Sequence, residues 1–92
     1  MHRLSSEEVT SHLSALPLWR VEKGELTRTF EFKDFKAALA FVNLVGERAE
    51  QAGHHPDIDI RYNRVRLALV THDAGGLTTK DFDLAAEADR LA

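Results

Sequence analysis

The chain has 92 residues, 43% of them hydrophobic, which suits one globular domain spanning residues 1–92 with a modest core. Twelve Lys and Arg against fifteen Asp and Glu give a formal charge of −3, so electrostatics supply no attraction to nucleic-acid phosphates or to an anionic membrane. Cysteine is absent, which excludes disulfides, thiolate nucleophiles and thiolate zinc sites.

The N-terminal segment predicts a short helix. Ser5 or Ser6 can cap it, Glu7 suits its first turn, and Pro17 interrupts the pattern that follows. The segment has no apolar core of the kind that a signal peptide needs, and no part of the chain approaches the ~20 apolar residues of a membrane span. We therefore expect a soluble, unexported protein of the cytoplasm.

Two strand-like segments follow, at 18–21 and 26–32, and residues 22–25 supply the turn between them. In the second segment apolar and polar side chains alternate, which predicts one buried and one wet face. The apolar set is Leu26, Phe30 and Phe32, and the polar set is Thr27, Thr29 and Glu31.

A long helix is predicted to begin at Asp34, a good N-cap, and to end at Gly53, which can adopt the left-handed conformation of a helix terminus. Between them apolar residues recur at spacings of three and four, which indicates one buried stripe. The stripe consists of Phe35, Ala38, Leu39, Val42, Val45, Ala49 and Ala52.

A second hairpin is predicted from residues 58–62 and 65–71, with Asn63-Arg64 at the turn because asparagine tolerates a positive φ. Residues 72–77 are predicted to form a flexible connection. Thr78 then caps a final helix, with Asp81 at the third position of a capping box.

The predicted order is α-β-β-α-β-β-α. Strand pairs joined by tight turns imply a four-stranded antiparallel sheet, and helices on one face give an α+β two-layer sandwich.

The side chains suited to proton transfer or metal binding lie mainly in the second half of the chain. Glu50 lies in the last turn of the long helix, His54 and His55 follow its end, His72 follows a strand, and Asp81 begins the last helix. Imidazole has the unperturbed pKa nearest neutrality, so histidines with carboxylate neighbours favour proton transfer or metal binding. We expect these segments to meet around one small cavity.

Other interpretations stay open for the same residues. His54 and His55 can be an ordinary polar loop, Asp81 can be only a cap, and Trp19 can be a core aromatic. A zinc site is a rival, although the HExxH spacing is missing. Nucleic-acid binding through Arg61, Tyr62 and the nearby arginines is disfavoured, because their alternation indicates a solvated face.

The sequence resembles the pterin-4a-carbinolamine dehydratases, a family also described as the dimerization cofactor of a homeodomain transcription factor. The resemblance runs from residues 16–19 to the end of the chain. It rests on the order and spacing of Glu50, His54-His55-Pro56, Tyr62, His72 and Asp81, and on segments 30–35 and 71–77.

The resemblance implies a hydro-lyase that needs no cofactor or metal and dehydrates 4a-hydroxytetrahydropterin to quinonoid dihydropterin during pterin recycling. It implies acid and base roles for His54 and His72, and binding of the pterin by His55 with a share in proton transfer. Glu50 and Asp81 would orient the imidazoles. The further substrate-binding residues that it implies are Trp19, Pro56, Thr71 and Asp73.

The resemblance also implies a homodimer or homotetramer. Because family proteins in animals bind a transcription factor, it leaves a protein-interaction module without catalysis as the alternative function, beside the metal site.

Overall fold

Three helices and four strands make up residues 2–92, which are the part of the chain that the computed structural model describes. In chain order they are α1 (Ser6–Leu13), β1 (Arg20–Glu22), β2 (Glu25–Glu31), α2 (Phe35–Ala52), β3 (Asp57–Arg61), β4 (Arg64–Leu69) and α3 (Thr79–Leu91). The predicted order of elements and the α+β class are confirmed. Within residues 2–92, no helix combines the length and the apolar character that crossing a membrane requires.

The strands form one antiparallel sheet in the order β1-β2-β4-β3, so β2 and β4 are central. The register pairs Leu26 with Leu69 and Phe30 with Val65, and Ile60 of β3 pairs with Val65 from the other side. Directly paired residues project to the same face of a sheet, so these side chains make one apolar face. The opposite face carries polar pairs such as Thr29 with Arg66, as the alternation predicted, but the expectation of a wet face is wrong for Thr27, which is 2% exposed.

Helices α2 and α3 cover the apolar face. The buried cluster joins Leu26, Phe30, Val65, Leu67 and Leu69 of the sheet to Ala38, Phe41, Val45 and Ala49 of α2 and to Phe82, Leu84, Ala85 and Ala88 of α3. At 25 cal/mol per Å², full burial of one such large apolar side chain is worth roughly 1.5–3 kcal/mol. This core fixes where the ends of α2, β4 and α3 lie.

The predicted helix caps are confirmed. The Ser5 hydroxyl accepts a hydrogen bond from the Glu8 backbone N–H at 3.1 Å, and Asp34 accepts one from Ala37 at 2.8 Å. Gly53 ends α2 with φ of 62°. Cap side chains satisfy N–H groups that have no partner inside the helix, which is why these residue types predicted the boundaries well.

The predicted stripe of α2 is partly wrong. Phe35, Leu39 and Ala52 are exposed, whereas Phe41, which the stripe left out, is 2% exposed in the core. The spacing of apolar residues predicts which face of a helix is apolar. Which residues of that face are buried depends on where the sheet and α3 pack against it.

Both hairpin turns differ in detail from the prediction. The first strand begins at Arg20, and Lys23-Gly24 alone form its turn. In the second hairpin the turn is Tyr62-Asn63, with Arg64 paired in β4. The positive φ, 53°, falls on Tyr62 instead of Asn63. Asn63 is instead fixed by two hydrogen bonds to Phe32. Its side-chain amide donates to the Phe32 carbonyl at 2.7 Å, and its backbone carbonyl accepts from the Phe32 N–H.

Two glycines of α2 provide a test of this local structure. Gly53 has a positive φ, whereas Gly46 lies inside the helix, and a Cβ atom at either position would meet no atom within 4 Å. Gly53→Ala should therefore lower the free energy of unfolding by ~1–2 kcal/mol, because only the left-handed conformation is penalised. Gly46→Ala should raise it by ~0.5–1 kcal/mol. Urea denaturation measures both, and shifts in the same direction would contradict the cap.

Candidate functional site

His54 is positioned by the end of α2. The His54 N–H donates to the Ala49 carbonyl at 3.1 Å, and the Gly53 N–H donates to the Glu50 carbonyl at 3.2 Å. This pair of bonds is the Schellman arrangement, which a left-handed glycine permits. The backbone of His54 is thus tied to the helix, and its side chain is 11% exposed.

The partner of His54 is Asp81 in the first turn of α3. His54 Nε2 lies 2.5 Å from Asp81 Oδ1, and Asp81 is fully buried. The other oxygen, Oδ2, accepts from the Thr71 hydroxyl at 2.8 Å and from the Thr78 backbone N–H at 2.9 Å. A buried carboxylate needs such donors, because an unpaired buried charge costs several kcal/mol.

The hydrogen bonds of this cluster run in one direction. The Lys80 N–H donates to Thr78 Oγ1 at 3.3 Å, the Thr78 hydroxyl donates to Thr71 Oγ1 at 2.8 Å, and the Thr71 hydroxyl donates to Asp81. Because the carboxylate only accepts, His54 must donate from Nε2. The ring nitrogen left for other partners is Nδ1.

His55 belongs to a separate pair. Its Nε2 hydrogen-bonds to Oε2 of Glu50, which lies one turn back in α2, and both side chains are more than half exposed. The pair therefore lies at the surface beside the buried His54 and Asp81. Pro56 follows at the entry to β3 and is half-buried.

His72 follows Thr71, which lies two residues after the end of β4. Residues His72–Ala74 form a 3-10 turn, and Thr71 and Gly76 exchange backbone hydrogen bonds at 3.1 and 3.3 Å across it. The prediction of a flexible connection at 72–77 is therefore wrong, because backbone hydrogen bonds close residues 71–76 into a turn. His72 and Asp73 are exposed at its rim.

The N-terminal segment packs against this turn. The Leu4 N–H donates to the Leu77 carbonyl at 2.8 Å. Arg3 crosses Gly76 so closely that a Cβ atom there would lie 2.6 Å from Arg3 Nε. The segment thus holds the turn that carries His72.

Trp19 is a core residue in this chain. It is 5% exposed, its indole N–H donates to Asp89 at 2.8 Å, and its ring meets Phe30 edge-on. Arg28 donates to the same Asp89 oxygen at 2.5 Å. The structure therefore places Trp19 under α3, and it gives no contact between Trp19 and the histidines.

The histidines line different cavities of the single chain. His54 lines a cleft of about 420 Å³ between the last part of α2 and the length of α3 from Lys80 to Arg90. His72 lines a second cavity, of about 560 Å³, between α1, the first hairpin and the 71–77 turn. The expectation of one small cavity shared by all three rings is not met. What connects His54 to His72 is the hydrogen-bond cluster, which includes Thr71 next to His72.

Sequence reasoning missed the role of two threonines. Thr78 was predicted only as a cap and Thr71 only as a pterin contact, yet their hydroxyls join Asp81 inside the protein. The sequence offers only a weak indication of this role. A threonine next to an apolar strand needs a hydrogen-bond partner for its hydroxyl if it is buried. Among residues 2–92, no group of three or more His, Asp or Glu side chains is arranged to hold a metal ion.

The class of this protein is α+β, with two helices packed on a four-stranded antiparallel sheet. A histidine and carboxylate pair, His54 with Asp81, lies where the two helices end and begin. The chain belongs to the pterin 4 alpha carbinolamine dehydratase family, whose sequence model matches residues 2–91. A relative from Acidobacterium capsulatum, named "Putative pterin-4-alpha-carbinolamine dehydratase", is 63% identical over 91 residues, which cover 99% of each chain.

Solved structures agree with this assignment. A transcriptional coactivator/pterin dehydratase from Brucella melitensis superposes with a TM-score of 0.95, at 35% identity and with 99% of each chain covered. A pterin dehydratase-like protein identified as a RuBisCO assembly factor of the alpha-carboxysome gives a TM-score of 0.69 at 27% identity, covering 80% of this chain and 88% of its own. The fold and the family are thereby established.

The buried cluster is tested by Thr71→Val, which keeps the shape of the side chain and removes the donor to Asp81. We expect a loss of ~1–3 kcal/mol in the free energy of unfolding, because a buried carboxylate oxygen loses a partner. Thr29→Val is the matched control, because Thr29 is exposed on β2 and should change stability by less than ~0.5 kcal/mol. Equal effects of the two changes in urea denaturation would contradict the cluster.

Proposed function

We propose that this protein dehydrates 4a-hydroxytetrahydropterin to quinonoid dihydropterin and water. Membership of the family supports the reaction, and the buried pair of His54 and Asp81 is the observation in this chain that carries it. The reaction removes the proton from N5 and the hydroxide from C4a as the C4a=N5 double bond forms. It therefore needs a base at N5 and an acid at the leaving oxygen.

His54 is the base in this proposal. Its Nε2–H is held by Asp81, so the neutral ring presents the lone pair of Nδ1 to the N5 proton. The negative charge of Asp81 stabilises the imidazolium that forms when Nδ1 takes the proton. Thr71 and Thr78 saturate the other oxygen of Asp81, which leaves Oδ1 to orient the ring.

His72 is the acid. As an imidazolium it gives a proton to the C4a hydroxyl, which leaves as water while the electrons of the N5–H bond form the double bond. The proton on His54 and the one missing from His72 are then exchanged with solvent. Membership of the family supports this role. In the single chain His72 lines a different cavity from His54, so the pterin has to bridge the two cavities for both imidazoles to act on it.

Pterin binding is assigned to the more exposed side chains and to the turn. His55, oriented by Glu50, would place the heterocycle and share in proton transfer, with Pro56 shaping the loop. The backbone of Thr71 to Asp73 would hydrogen-bond the edge of the pterin. Trp19 takes no direct part in this proposal, since its indole is engaged in the core.

The test is dehydration of a synthetic 4a-carbinolamine by protein freed of metal, measured above the spontaneous rate. His54→Ala and His72→Ala should each lose about 10²–10⁴ of kcat, the range of general acid–base catalysis. His2→Ala is the control, because His2 is exposed and its ring hydrogen-bonds to Glu8 at 3.2 Å, so the rate of this variant should match the wild type. Losses below about tenfold for His54 and His72 would contradict the assignment.

Zinc content and circular dichroism complete this experiment. Stoichiometric zinc by elemental analysis, with activity lost on its removal, would favour the metal site over imidazole catalysis. Circular dichroism of each variant separates loss of catalysis from loss of fold.

A second candidate function is a protein-interaction module. The two solved relatives are described as a coactivator and as an assembly factor, so the fold also serves protein contacts in those proteins. In this chain Phe35 and Leu39 lie one turn apart on α2 and are 47% and 40% exposed. Exposed apolar neighbours of this kind favour a surface that another chain covers.

We propose that a further copy of the chain covers them, in a homodimer or homotetramer within the cytoplasm. Light scattering at micromolar concentration should give a mass of two or four chains, and Phe35→Ser with Leu39→Ser should lower it. Lys33→Ser with Lys36→Ser, two exposed residues near the start of α2, is the control. A monomeric wild-type protein would refute this assembly without bearing on the dehydration.

A further inference from the structure

The cleft lined by His54 has a second set of polar side chains that the proposed reaction does not use. Arg48 reaches it from α2, and Lys80, Asp83, Glu87 and Arg90 reach it from α3. Its volume of about 420 Å³ falls in the range of small-molecule sites. Three cations against two carboxylates make the cleft locally positive, although the whole chain carries a formal charge of −3.

Glu87 holds the two arginines in place. Its Oε1 bonds to Arg48 Nη1, and its Oε2 accepts from Arg90 Nε at 2.9 Å and Nη2 at 2.7 Å. Hydrogen bonds from Arg90 and then from Arg48 lower the pKa of the Glu87 carboxyl against the opposing effect of burial. Two guanidinium groups share one carboxylate, so each keeps N–H donors free for another acceptor.

Lys80 is the unpaired cation of this set. Within residues 2–92 it forms no ion pair. It lies in the first turn of α3, where a cation opposes the helix dipole and costs stability. Because no carboxylate of the described residues offsets the charge of Lys80 at this position, we take a bound anion as its counter-charge.

We propose that this cleft binds an oxyanion, phosphate or carboxylate, on the side chain of the pterin whose ring is held at His54. The inference rests on the proposed function and deepens it by naming the class of pterin. His54 lines the cleft together with Arg48, Lys80 and Arg90, so a pterin ring held at His54 would place its C6 substituent in the same cleft as these cations. A neutral hydroxyalkyl side chain would find no matching charge there.

The first arm of the test measures binding with a stable product-like probe. Dihydropterin with a 6-hydroxymethyl group is compared with its phosphate ester and with a 6-carboxylate, by titration calorimetry at low and high salt. Wild type should bind at least one of the two anions about fivefold or more tightly than the neutral probe, with the preference reduced by salt. Inorganic phosphate alone should compete only for the anionic probe.

The second arm uses matched charge removals. Arg48→Gln with Lys80→Gln should abolish the preference for the anionic probe and leave binding of the neutral probe within about twofold. Arg61→Gln with Arg64→Gln removes two exposed arginines from the other end of the β3–β4 hairpin and should leave the preference intact. Urea denaturation of both double variants shows whether Arg48 serves only as a clamp between the helices.

Each outcome decides the matter. Equal affinity of wild type for neutral and anionic probes overturns the oxyanion site, as does a preference that survives Arg48→Gln with Lys80→Gln. Turnover of a neutral carbinolamine with no anion preference overturns this inference and leaves the dehydratase intact. Absence of both binding and turnover overturns the proposed function and this inference with it.

Discussion

The structure depends on one buried carboxylate. Asp81 has no exposed surface, and its two oxygens take three donors from three parts of the chain. His54 comes from the end of α2, Thr71 from the end of β4, and Thr78 from the start of α3. An ionised carboxylate can be buried only when such donors replace water, so these three segments must meet at this point for the fold to be stable.

The same group serves the helix and the site. As the third residue of the capping box, Asp81 binds the Thr78 N–H and thereby begins α3. Its second oxygen holds the ring of His54. Because hydrogen bonds from Thr71 and Thr78 fix Asp81, the ring of His54 that Asp81 holds is fixed as well. Catalytic geometry needs such support from residues that do not touch the substrate.

Relatives of this chain carry names for more than one role. Relatives are named for pterin dehydration, for transcriptional coactivation and for RuBisCO assembly, and the matches range from 63% to 27% identity. A fold alone does not define a function, so the function must be argued from the side chains at the helix ends. In this chain those side chains include His54, paired with the buried Asp81, and the charged residues of the cleft that His54 lines. Both features lie toward the C-terminal end of α2, whereas the exposed Phe35 and Leu39 lie near its start.

The sequence by itself determined the order of elements, the helix caps and the alternating strands, because these depend on contacts within a few residues. Ser5, Asp34, Gly53 and Thr78 each act on neighbouring backbone groups, and all four are where the sequence predicted them. The hydrogen bond between Glu50 and His55 is also local, since the two residues are five positions apart, but the sequence did not predict which imidazole Glu50 contacts.

Contacts between distant segments were decided only by the tertiary structure. The local sequence around each residue does not indicate that Thr71 donates to Asp81 or that the Trp19 indole donates to Asp89. It also does not indicate that Phe41 is buried while Phe35 is exposed. Each of these depends on how the two helices lie across the sheet, and that arrangement is set by the packing of the whole core. For the same reason the sequence predicted that His54 and His72 line one cavity, whereas in the folded chain they line two different cavities.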